Sequence, residues 1–167
     1  MDVFREMRRF RQRLTDAECK DILGRMTSGV LAVAGDGGYP YAVPLSYVYH
    51  NGRIFFHSAM EGHKIDAIRK CDRVSFCVIE QDMIVPGEYT TYFRSVIAFG
   101  RARILDDAVE RRDAMALLAM KYSPEQAPMR IPQLASDAEF ARTCMVEMRI
   151  EHLSGKEAIE LARMRRC

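Results

Sequence analysis

Between Gly52 and Phe76 the spacing of apolar positions changes twice, and each change predicts a new element. Arg53 to His57 follows the turn signal Asn51-Gly52 and is rich in β-branched and aromatic residues, which predicts a strand. Ser58 to Glu61 reads as a short connection, after which Ile65, Ala67 and Ile68 mark one face of a helix ending near Lys70. Arg73 to Ile79 is the next predicted strand. The connection and the first helical turn thus gather Ser58, Gly62, His63 and Lys64, which bring a hydroxyl, free backbone amides, an imidazole and an ammonium. A phosphate needs that chemistry at a helix start, where the dipole favours an anion. A solvated first turn would use the same residues, and spacing alone leaves both readings open.

The rest of the chain frames this stretch. Residues 1 to 13 form a basic arm without clear periodicity. Thr15-Asp16-Ala17-Glu18 reads as a capping box, with Leu14 as its staple, opening a helix to about Met26. Val30 to Val33 is a continuous apolar run and predicts a buried strand; Asp36-Gly37-Gly38 then returns the chain in a hairpin. Tyr39 to Tyr49 is the next strand, and Pro44 within it predicts an edge, a bulge or an opening of the ladder at Val43 to Ser46. Glu80 to Tyr89, with Pro86-Gly87, reads as a loop. Thr90 to Leu105 is the longest strand candidate, and Gly100 marks a bend or bulge in it. Asp106 or Asp107 caps the following amphipathic helix. Ser123 to Gln133 is mostly loop, Met145 to His152 a final strand, and the tail from Ser154 a short helix or arm. Five or six strands with short hairpins and inserted helices predict a mainly β fold, a small antiparallel barrel with flanking helices. Gly35-x-Gly37-Gly38 joins hairpin strands and opens no helix, so it is not read as a dinucleotide loop.

Composition narrows the chemistry. The 167 residues suit one domain that folds without disulfides or metal. Lys and Arg number 25 against 23 Asp and Glu, which makes no general case for nucleic acid. Arginines concentrate at Arg5 to Arg13 and Arg163 to Arg166, without the stacking aromatics of a single-strand binder or the amphipathic basic helix of a membrane binder. Five widely spaced cysteines predict cytoplasmic thiols, the four histidines show no zinc spacing, and no apolar run is long enough to span a bilayer.

Three segments, AVPLSYVYHNGRIFFHSAMEGHKIDAIRKCDRVSF, TYFRSVIAFGRARIL and RIEHLSGKEA, together resemble the flavin-binding split-barrel proteins related to pyridoxamine 5'-phosphate oxidase, in particular the 5-nitroimidazole-resistance branch. The likeness runs from Leu14 to Glu157. It implies an antiparallel, Greek-key-like split β-barrel over residues 14 to 153, preceded by the arm and followed by a C-terminal arm or helix. It also implies FMN in a groove at the interface of a homodimer.

The resemblance assigns roles residue by residue. Ser58, Ala59, Gly62, His63 and Lys64 match the segment that binds the ribityl phosphate; the family's Ser-Arg-Lys reads Gly62-His63-Lys64 here, which implies a weaker, partly pH-dependent charge pair. Val43, Pro44, Leu45, Ser46 and Tyr47 match the strand whose backbone passes under the isoalloxazine. Arg94, Ser95 and Val96 match an Arg-Gln-Val contact from the long strand. His57 matches a histidine beside the reactive face of the cofactor, and as a candidate proton donor it competes with a purely structural role. The implied activity is electron or hydride transfer through FMN to a small electron-poor substrate such as a nitroimidazole; the alternative is a flavin or haem protein that stores or senses without turnover. The vitamin B6 oxidase itself is not implied, since the basic, Trp-bearing carboxy-terminal strand is missing.

Overall fold

In a computed structural model, which describes residues 4–136 and 138–165, one stretch of chain supplies both edges of a seven-stranded antiparallel sheet. The strands are β1 (Ser28–Ala34), β2 (Pro40–Ser46), β3 (Val48–His50), β4 (Arg53–Ala59), β5 (Arg73–Val85), β6 (Thr90–Ile104) and β7 (Thr143–Glu157). Their order is β2-β1-β5-β6-β7-β4-β3. β2 pairs with β1 and β3 pairs with β4, although only Tyr47 separates β2 from β3. The sheet therefore curls until its two edges meet at Tyr47. Beyond that residue they diverge: β2 has no second strand partner among the described residues, and Phe56 to Ala59 of β4 pair only with β7. This is a split barrel, and the two unpaired edges are the lips of its seam.

The helices are α1 (Asp16–Arg25), α2 (His63–Lys70), α3 (Ala108–Tyr122), and the short α4 (Ala127–Arg130), α5 (Ala138–Ala141) and α6 (Ile159–Met164). The Thr15 and Glu18 side chains cap α1 reciprocally, and Asp107 caps α3 by accepting from the amides of Val109 and Glu110, both at 2.9 Å. Inside the barrel Leu31, Phe56, Phe76 and Val96 form the core with Ile22 of α1 and Ile65 of α2. Outside it, α3 covers one part of the sheet, with Leu118 on Phe55 and Met145.

Three spans predicted from the pattern need correction. Glu80 to Tyr89 is not a loop: β5 continues to Val85, every residue from Gln81 to Val85 has a partner on β6, and only Glu80 is skipped in a bulge. The Pro86–Glu88 turn, with Tyr89 at φ 51°, is merely the tip of this hairpin. Likewise β7 runs past Ser154 to Glu157, because β6 is long enough to pair with it as far as Arg94. Ser123 to Gln133, read as loop, contains α4 and the start of a 3-10 turn at Ile131–Ser136. The register shift next to Gly100 is the bulge expected there; a Cβ at Gly100 would overlap the Arg149 carbonyl. Of the N-terminal arm, Met1 to Val3 lie outside the described residues, as do Arg166 and Cys167 at the other end.

Candidate functional site

α2 starts across the seam, and its first two side chains reach opposite lips. Gly62 precedes it at φ 128°, a conformation open to glycine, and no side chain caps the helix. The Ile65 and Asp66 amides turn back to the Gly62 carbonyl at 2.9 and 3.1 Å, and the amides of His63 and Lys64 are left without a protein partner among the described residues. Lys64 Nζ donates to Ser58 Oγ at 3.2 Å, on the β4 lip. His63 stacks on Tyr41 of β2 with ring centroids 4.1 Å apart, and its Nε2 accepts weakly from the Asp36 amide at 3.4 Å. The Asp36 carboxylate lies 3.7 Å from the same nitrogen and accepts from Lys70 at 3.0 Å. Lys70, and secondarily its charge and that of His63, hold Asp36 below the usual carboxylate range.

The lips themselves carry small exposed residues. On β2 the pattern alternates, so Tyr41, Val43 and Leu45 pack toward the core while Ala42, Pro44 and Ser46 face out. On β4 the inward Ser58 is buried, and the outward His57 and Ala59 are exposed. Of the readings open for Pro44, the structure takes the edge strand: its ladder with β1 is unbroken, and the partner switch falls at Tyr47. Tyr47 is completely buried, its hydroxyl donating to the Leu23 carbonyl at 2.8 Å. The His57 side chain makes no hydrogen bond, ion pair or ring contact among the described residues and projects from the face opposite Ser58.

The third predicted set lies apart. Ser58 pairs with Cys144 and Arg94 with Glu157, at opposite ends of the 15-residue β7, roughly 40 Å along the strand at about 3.3 Å per residue. Val96 is fully buried, Ser95 faces out, and Arg94 is committed to an ion-pair network. Arg94 donates to Glu157 Oε2 at 3.0 and 3.2 Å and reaches Glu80 at 3.5 Å; Arg165 meets Glu157 Oε1 at 2.6 Å, and Arg25 closes on Glu80. Sequence reasoning missed Glu157, Tyr41 and Tyr122, whose roles depend on partners distant in the chain and leave no local signal. A cleft of about 790 Å³ lies between the β1–β2 hairpin and Phe99, Arg73 and Arg101.

Other chemistries find little support. Burial raises Cys19 to about 11 and lifts Cys77 and Cys144 as well, so none of these thiols is poised as a thiolate. Among the described residues no group of three His, Cys, Asp or Glu side chains is arranged to hold a metal, and no helix is long and apolar enough to cross a membrane.

A split barrel with an uncapped helix start bridging its seam defines the class of protein. The chain belongs to the pyridoxamine 5'-phosphate oxidase family, whose model matches residues 15–157. Among solved structures, a FAD-binding protein from Mesorhizobium loti is 30% identical, with 88% of this chain and 97% of that one covered and a TM-score of 0.64. A candidate 5-nitroimidazole antibiotic resistance protein from Bacteroides thetaiotaomicron is 18% identical, with 87% and 86% covered and a TM-score of 0.71. A flavocytochrome from Azotobacter vinelandii is 19% identical, with 95% and 74% covered and a TM-score of 0.78. The last two likenesses are of fold. Comparison with curated proteins finds no match.

Proposed function

We propose that the protein binds a flavin, FMN by preference, and works as an oxidoreductase on a small electron-poor substrate, a nitroimidazole being the first candidate. The observation that carries this reading is the Lys64–Ser58 contact beside the uncapped start of α2: a cation, a hydroxyl and free amides converge where the barrel is open. A terminal phosphate fits that donor set, which lacks a carboxylate in contact with Lys64. The 30% identical FAD-binding protein supports a flavin as the owner of the phosphate.

In this reading Ser58, Gly62 and Lys64 hold the phosphate, while Ala42, Pro44, Ser46 and Ala59 leave the seam's backbone open to a planar ring. A bound flavin would supply electron or hydride transfer. His57, exposed on the outer lip, would hold a proton for the substrate. Ser58 and Ser95 pair with opposite ends of β7, an arrangement that supports a homodimer with each groove built from two copies. The four cysteines among the described residues are all free, which supports a reducing, cytoplasmic setting.

The absorption spectrum of the purified protein tests the proposal, with oxidised flavin expected to give bands near about 370 and 450 nm. Protein without bound pigment would be titrated with FMN and FAD by fluorescence quenching. Binding of neither, or a Soret band in place of the flavin bands, would overturn it.

A further inference from the structure

Tyr122 is the last residue of α3, yet its hydroxyl sits between two strands. The β1–β2 ladder ends with Ser28 opposite Ser46, so the next pair in register would be Thr27 and Tyr47. Those two residues retain only a long contact, Tyr47 N–H to the Thr27 carbonyl at 3.4 Å. The Tyr122 oxygen enters the gap. It accepts from Tyr47 N–H at 3.0 Å, and it lies 2.7 Å from the Tyr47 carbonyl and within hydrogen-bond reach of the Thr27 carbonyl, either of which can take its proton. The preceding residue reinforces the wedge: Lys121 Nζ donates to the Met26 carbonyl and lies 4.4 Å from the centre of the Tyr47 ring.

A hydroxyl suits this gap because it offers an acceptor to the Tyr47 amide and a donor to the Tyr47 or Thr27 carbonyl, where the ladder itself leaves only one long contact. By ending one ladder at Tyr47, it frees the chain to take up β4 at Val48. The separation of the two lips starts at that residue. We infer that Tyr122 is a positioning residue that sets the opening of the seam, and through it the fit of the ligand the seam receives. This rests on the flavin reading for the ligand, but not for the opening itself. No carboxylate or imidazole contacts the Tyr122 hydroxyl in the structure, and its ring is 40% exposed at the mouth of the fork.

The test compares the full chain with Tyr122→Phe and, as a control on the same helix end, Lys121→Met. Amide hydrogen exchange of the ligand-free proteins is measured first. Tyr122→Phe is expected to speed exchange about tenfold at Tyr47 and the adjoining lips, Val43 to Ser46 and Phe56 to Ala59, while the β5–β6 ladder keeps its protection. Lys121→Met should leave the Tyr47 amide slow. Unchanged exchange at Tyr47, or acceleration spread evenly over the sheet, would overturn the inference. FMN titration and the visible circular dichroism of bound flavin come second: at least about fivefold weaker binding with an altered spectrum is expected. An altered fork with affinity and spectrum both as in the parent would reject Tyr122 as a positioning residue. A parent chain that bound no flavin would end the flavin reading, and the exchange pattern would then decide the role at the seam by itself.

Discussion

The His63 ring lies on Tyr41, 4.1 Å between centroids and 22° from parallel, and this stack turns it away from the neighbouring Lys64. Successive residues on a helix point about 100° apart. Here that divergence spans the seam: His63 secures the β2 lip and Lys64 the β4 lip. The two therefore do not form one joint cation, and the charge available to a phosphate comes from Lys64.

Lys64→Ala is accordingly expected to weaken FMN by about 1.5 to 3 kcal/mol, the range for a hydrogen bond to a charged group. Fluorescence titration of the flavin-free protein measures it. His63→Ala should change affinity less, and an unchanged dissociation constant in Lys64→Ala would remove that residue from the phosphate site.

The tie between α2 and the β1–β2 turn should depend on acid. Lys70 first, then charge from Lys70 and His63, lowers the folded pKa of Asp36 from its ordinary 3.8. A carboxylate lowered on folding contributes stability above its unfolded value and loses it as pH falls through the lowered folded value. Local exchange protection of Gly35 to Tyr39 should therefore hold at neutral pH and decline below about 3.8. The pair is exposed, so salt should weaken the effect. Asp36→Asn should remove this acid step; an identical profile in that variant would show that Asp36 is not its source.

Glu157 has no exposed surface and receives two arginines, Arg94 and Arg165. Replacing it by Gln leaves those guanidinium groups facing each other around a neutral amide. The loss should be on the order of 3 kcal/mol, the lower end for breaking a buried pair, since both arginines keep some contact with water. Urea denaturation measures it, and a loss under about 1 kcal/mol would show that the network is only decorative surface charge.

Much of this was legible before the structure because it is local. The Thr15 capping box, the Asp107 cap, the Gly100 bulge and the 63–70 helix each depend on residues within a few positions of one another. The hairpin arm beyond Ile79 was not, since Pro86-Gly87 signals a turn without saying how long the strands beside it run; pairing with β6 decides that. The same holds for the site. Lys64 and Ser58 are six residues apart and could be joined on paper, whereas Tyr122 meets Tyr47 across 75 residues and Arg94 meets Glu157 across 63. Alternation along β4 also separates His57 from Ser58, which a motif written as a string places side by side.

The protein should be a dimer when flavin is bound. Ser58, which Lys64 contacts, pairs with one end of β7 and Ser95 with the other, the placement expected if each groove draws on two copies. Light scattering should give about twice the 19.2 kDa of one chain. A single-chain mass with flavin fully bound would make the groove the work of one chain and exclude Ser95 from it.

His57 provides the sharpest separation of chemistry from structure. Its imidazole is exposed and makes no hydrogen bond, ion pair or ring contact among the described residues, so His57→Ala should change stability by no more than about 0.5 kcal/mol, as for an ordinary surface substitution. If the imidazole delivers a proton to the substrate, the same change should slow flavin reoxidation by an electron-poor acceptor roughly 10²-fold, the low end for a general acid, while FMN affinity stays near that of the parent. Stopped-flow reoxidation and denaturation of the same two proteins read both quantities. A rate per bound flavin within about twofold of the parent would end the catalytic assignment of His57. The acceptor then distinguishes the finer label from the coarser one. Rapid reoxidation by a quinone with none by a nitroimidazole would reject nitro reduction and keep an oxidoreductase, whereas a flavin that stays reduced with every acceptor tried would favour a binding protein without turnover.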